Sequence, residues 1–168
     1  MFDTFNGLPL HPMVVHGVVV LLPLAMLGTI AIAVRPRWRH RFGLLVLGMA
    51  AVGTLFIPIA TSSGEALEEH VGDPGEHAEL GDQLIWFALP MLVLALVLVV
   101  LDRRGSRPAS ADGDGRRTRG SAPRGTALTV VAGLALVAAL ATSVQVYRVG
   151  DSGARAAWGD RVSSSANR

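Results

Sequence analysis

MVVHGVVVLLPLAMLGTIAIAVRPRWRHR, residues 13 to 41, decides how the rest of the chain is read. Its first part, Met13 to Val34, is apolar throughout apart from the ionisable ring of His16. Its second part carries Arg35, Arg37, Arg39 and Arg41. Crossing the hydrocarbon of a bilayer takes ~20 apolar residues in a helix, because lipid offers no partner to a bare backbone N–H or C=O. Residues 13–34 satisfy that length. The arginines that follow add a direction, since cytoplasmic flanks of membrane helices collect basic residues. The flank before the span holds Asp3 and no arginine, so the first span is expected to run from outside to inside. Ala31 and Ala33 imitate a small-residue cleavage site, but a signal peptide has its basic residues before a shorter apolar core. A retained span is the expectation.

Three more stretches read the same way: residues 42–60, 83–101 and 127–146. The segment between the third and fourth contains Arg103, Arg104, Arg107, Arg116, Arg117, Arg119 and Arg124. The segment between the second and third, residues 61–82, has no arginine and carries Glu65, Glu68, Glu69, Asp73, Glu76, Glu79 and Asp82. The sequence therefore predicts an all-α integral membrane four-helix bundle, with amino and carboxyl ends both extracytoplasmic. Residues 61–82 form an outer acidic loop, and 102–125 a cytoplasmic loop. That loop is rich in Gly, Ser, Pro and Arg, too polar to offset its ordering entropy, and is expected to be disordered. Residues 148–168 form an outer tail folding back over the bundle, with Arg148 and Arg155 meeting carboxylates of the acidic loop.

Composition removes several classes of function. With no cysteine, disulfides, thiolate metal sites and cysteine nucleophiles are excluded. The isoelectric point near 10.3 suggests nucleic acid, but the formal charge is only +2 and the arginines are divided among separate segments. No nucleic-acid partner is expected. The central parts of the spans hold no ionisable residue, which disfavours pumps and secondary transporters. No nucleophile–base pair or phosphate loop is present.

Local signals fit four helices. Pro12 suits a first turn, and Asp73-Pro74-Gly75-Glu76 resembles a capping box that would place His77 in the first turn of the third helix. Pro23, Pro58 and Pro90 fall inside spans. Ala135 and Ala139 make a small-xxx-small pair, and Gly48 and Gly53 thin the second span for close packing. Trp86 and Tyr147 stand near outer ends, where amphipathic rings favour the interface.

The chain has five histidines. His40 lies among cytoplasmic arginines; His11, His16, His70 and His77 all belong to the outer side. Neutral imidazole ligates haem iron and divalent transition metals, and Glu69 and Glu76 add candidate oxygen ligands. His16, about one turn into the first span, reads either as a ligand facing the bundle or as an interfacial ring bonded to a carbonyl or water. His11, five positions earlier, should point away from it. His16 and His77 are the main candidate ligands, with His11 and His70 behind them. A height mismatch of up to ~10 Å between His16 and His77, at ~1.5 Å per residue, counts against a shared site.

The opening Leu8-Pro9-Leu10-His11-Pro12-Met13-Val14-Val15-His16 resembles the signature of a bacterial membrane family, domain of unknown function 2231. The resemblance continues through Thr61-Ser62-Ser63-Gly64, His77 with Leu80-Gly81, and Arg148-Val149-Gly150-Asp151-Ser152-Gly153-Ala154. It departs where Gly17-Val18 replaces a common Phe-Pro, and where Asp151 replaces a frequent histidine. It implies a four-span fold in the bacterial cell (plasma) membrane and no defined activity.

Two functions follow as expectations. In one, the outer histidines hold haem b or a divalent transition metal for an extracytoplasmic redox or metal-handling system. In the other, the chain is a structural or interaction subunit without cofactor, docking a membrane or extracytoplasmic partner protein. The lipid bilayer is the expected environment, with a homo-oligomer compatible with either.

Overall fold

A one-residue turn sets the first half of the structure. Helix α1 (Leu10–Val34) ends at Val34 and α2 (Pro36–Val71) begins at Pro36, leaving only Arg35 between them. A residue before proline is pushed out of the helical region, and Arg35 is extended at φ −117°, ψ 97°. Pro36 then supplies a preset first helical turn. The computed structural model describes residues 4–5, 8–72, 75–105 and 122–166. Two further helices complete the bundle, α3 (Glu76–Gly105) and α4 (Ala122–Ala166). A minimal antiparallel pair, β1 (Thr4–Phe5) with β2 (Leu8–Pro9), precedes α1.

The helices form a square in chain order. α1 packs on α2 and α4, α3 packs on the same two, and α1 and α3 meet only marginally across the diagonal. α1 and α3 start at one end of the bundle, where α2 and α4 finish. That end carries His11 and His77, and the other carries the arginines of the α1–α2 turn. All four helices are long and apolar enough to cross a membrane.

The bundle is apolar outside as well as inside. Its centre is lined by small side chains, with Ala25, Ala50, Ala88, Ala95, Ala135 and Ala139 fully buried. Large apolar side chains such as Leu27, Leu55 and Val137 are exposed around the belt. In lipid, helices gain little by hiding apolar area, and their association rests on close packing and hydrogen bonds. Alanines allow that close packing between the larger buried side chains of Leu22, Ile32, Met91 and Leu98, and the exposed apolar belt is the surface that suits a bilayer.

Interhelical hydrogen bonds supply the rest. Thr142 Oγ1 donates to the Phe87 carbonyl at 3.0 Å and Gln145 Nε2 to the Leu80 carbonyl at 3.0 Å, joining α4 to α3. At the opposite end, Arg39 is almost wholly buried. Its Nε donates to the Ile32 carbonyl at 2.7 Å and one Nη to the Ala33 carbonyl at 2.8 Å. These carbonyls belong to the last turn of α1, which has no intrahelical partners for them.

Several expectations need correction. Residues 61–71 are not loop but the final turns of α2, closed by Gly72 at φ 92° with its N–H on the Glu68 carbonyl at 2.8 Å. Helix formers such as Glu65, Ala66, Leu67, Glu68 and Glu69 simply carry α2 past the bilayer. Likewise the tail does not fold back; α4 continues through Ala166. Arg155 therefore pairs within its own helix, Nη2 to Asp151 Oδ2 at 2.8 Å, and Glu76 of the acidic segment attracts it only at longer range. Asp73, Pro74 and residues 106–121 lie outside the described residues, so the capping box and the central part of the 102–125 segment do too.

Of the two glycines expected to thin α2, Gly53 packs against α1 and Gly48 does not. A Cβ on Gly48 would meet nothing within 4 Å, so that position opens away from the bundle. Close approach occurs instead at Gly43, where a Cβ would stand 2.8 Å from Val99 of α3, and at Gly53 against Leu21 and Leu22 of α1. Gly43→Ala should lower stability by about 1–3 kcal/mol, because β-branched Val99 cannot swing aside. Gly48→Ala should be neutral or raise stability by up to about 1 kcal/mol through helix propensity. Thermal midpoints of both variants in one detergent provide the check, and equal midpoints would contradict the assigned packing.

Candidate histidine site

His11 begins α1 beside the last membrane turns of α2. Its Nδ1 lies 2.9 Å from the Ala60 carbonyl oxygen and 3.3 Å from Ser63 Oγ. The Ser63 hydroxyl donates to the same Ala60 carbonyl at 2.9 Å. The ring lies against Gly64, where a Cβ would come within 3.2 Å of its Cε1. A carbonyl oxygen can only accept, so Nδ1 carries a proton, and the neutral ring in this tautomer has its lone pair on Nε2.

His77, in the first turn of α3, repeats this arrangement on α4. Its Nδ1 lies 3.1 Å from the Val149 carbonyl and 3.4 Å from Ser152 Oγ, and Ser152 donates to that carbonyl at 3.0 Å. A Cβ on Gly153 would come within 2.9 Å of the His77 ring. Each imidazole is thus held by a carbonyl, a serine three residues further on and the glycine after it. Both rings are partly buried. A metal-binding histidine is characteristically fixed through its other nitrogen by a carbonyl or carboxylate, which sets the tautomer and orients the ring. Both rings have that outer support.

The remaining candidates are placed differently. His16 is exposed on the outward face of α1 and bonds through Nδ1 to the Pro12 carbonyl of its own helix. It does not face the bundle. Glu69 and Glu76 are exposed, and the side chain of His70 lies outside the described ones. Among the described residues no group of three or more His, Asp or Glu side chains converges as a metal site. The set His16, His77, His70, Glu69 and Glu76 is accordingly not brought together there.

Ser63, Gly64, Ser152 and Gly153 are the residues that sequence reasoning left without a role. The signal was present: a Ser-Gly pair stands in the same relation to each histidine's partner helix. No curated protein and no solved structure matches the chain. A family model does, over residues 7–166, and that span includes all four helices and both histidine clusters. The chain belongs to the family described as predicted membrane protein (DUF2231).

Proposed function

We propose that the protein is a plasma-membrane module, both ends outside, that presents His11 and His77 at its outer face as ligands for haem b in an extracytoplasmic redox system. The orientation rests on the arginines of the α1–α2 turn and of the segment joining α3 to α4, which favour the cytoplasm. It puts both histidines outside. The observation that carries the ligand assignment is the paired commitment of Nδ1 to a carbonyl, the tautomer in which a neutral ring offers Nε2 as its ligating atom. Ligand count favours haem over a bare divalent ion. A protein-built zinc or copper centre takes three or four side chains, whereas a porphyrin brings four nitrogens and asks for only one or two.

The test is the absorption spectrum of the detergent-purified protein, oxidised and dithionite-reduced, with metal analysis of the same sample. A Soret band is expected, abolished by the double substitution of His11 and His77 with Ala and unchanged in His16→Ala. A colourless, metal-free sample that stays empty after haem is supplied would sink this reading. It would leave a cofactor-free subunit that docks a partner protein.

A further inference from the structure

The two histidine clusters belong to a larger correspondence. Advancing along the chain by the step from His11 to His77 carries buried Val18 to Leu84, Leu22 to Ala88, Ala25 to Met91, Thr29 to Ala95, Ile32 to Leu98 and Ala33 to Val99. Each partner is itself buried. The step from Ser63 to Ser152 takes buried Val46 to Ala135 and Ala50 to Ala139, while buried Thr54, Ile57 and Ala60 fall on the half-buried Ser143, Val146 and Val149. Any two helices with buried stripes can be overlaid at some offset. Here the offset is not free, because the hydrogen-bonding histidine and the Ser-Gly pair fix it independently.

The spatial arrangement agrees. α1 and α3 run the same way on opposite corners of the square, as do α2 and α4. A two-fold axis along the bundle, parallel to the membrane normal, therefore exchanges α1–α2 with α3–α4. It also places His11 and His77 at one height, which removes the mismatch that His16 and His77 present.

We infer that the chain is two copies of one helical hairpin in tandem, and that its histidine end is a composite site to which each copy contributes one equivalent imidazole. This inference rests on the haem reading and sharpens it. His11 and His77, one from each copy, would be the residues that hold the haem, which would supply one-electron redox chemistry. Ser63, Gly64, Ser152 and Gly153 would be positioning residues. In each half the carbonyl and serine hold the ring's far nitrogen, and the glycine gives the ring room to lie flat on the helix.

Titration of the purified full chain with hemin, followed by optical and electron paramagnetic resonance spectra, tests this. The native protein should give six-coordinate, low-spin iron. His11→Ala and His77→Ala should each give five-coordinate, high-spin iron, with the affinity lowered by comparable factors of about tenfold or more. Gly153→Ala should shift the spin equilibrium toward high spin while leaving the thermal midpoint within a few degrees, an effect that helix packing alone would not produce. If hemin binds but only one histidine alters its spectrum, the equivalence of the halves is wrong and the haem reading survives. If the native protein takes no hemin, both are wrong.

Discussion

Arg39→Ala is expected to destabilise the bundle by about 3–6 kcal/mol, the sum of two charge-assisted hydrogen bonds at ~1.5–3 kcal/mol each. The arginine fork donates at once to the Ile32 and Ala33 carbonyls, and burial excludes the water that could replace it. Arg39→Lys should recover little, since a single ammonium cannot reproduce a rigid two-pronged donor. The measurement is unfolding in mixed micelles with increasing denaturing detergent, comparing native, Arg39→Ala, Arg39→Lys and Arg37→Ala. Arg37 is exposed and its loss should matter little. If Arg39→Ala and Arg37→Ala unfold together, the capping role assigned to Arg39 is wrong.

Gln145→Ala should cost about 2–4 kcal/mol, combining a buried cavity with the loss of the interhelical hydrogen bond to the Leu80 carbonyl. Gln145 is nearly inaccessible and spans from α4 to α3 one turn below the His77 cluster. The matching contact between α1 and α2 is of another kind. There the Phe56 ring packs so closely on Gly17 that a Cβ at position 17 could not coexist with it in place. The two halves share their histidines but not this brace. Loosening Gln145 should therefore disturb His77 before His11, detectable as faster trypsin or hydrogen–deuterium exchange at the start of α3 than at the start of α1. Equal acceleration at both would mean that Gln145 supports the bundle as a whole.

The four-helix fold was legible because lipid imposes a length on an apolar helix, and that length is a property of composition along the chain. The site was legible only as a list of histidines. α1 is apolar on every side, so nothing in its sequence tells which of His11 and His16 turns inward; packing against α2 decides that. The extensions of α2 and α4 beyond the apolar stretches were missed because hydropathy ends where the bilayer ends, whereas helix propensity does not. Arg39 was hidden for a related reason. An arginine in that turn is sufficiently explained by membrane orientation, and nothing distinguishes a capping arginine from its neighbours until the chain turns back on itself. Ser63 and Ser152 are small polar residues in motifs whose meaning lies in a partner helix far along the chain.

The single residue between α1 and α2 constrains how the protein can be made. With only Arg35 as slack, neither helix can take up a transmembrane orientation without dictating that of the other. A ribosome delivering this chain cannot leave α1 correctly threaded and α2 stranded at the surface for long. The two must partition into the bilayer as one kinetic event, and any error of threading must invert both together. The connection between α3 and α4, residues 106–121, is long enough to permit independent entry. Biosynthetic mistakes should accordingly concentrate in the second half of the chain.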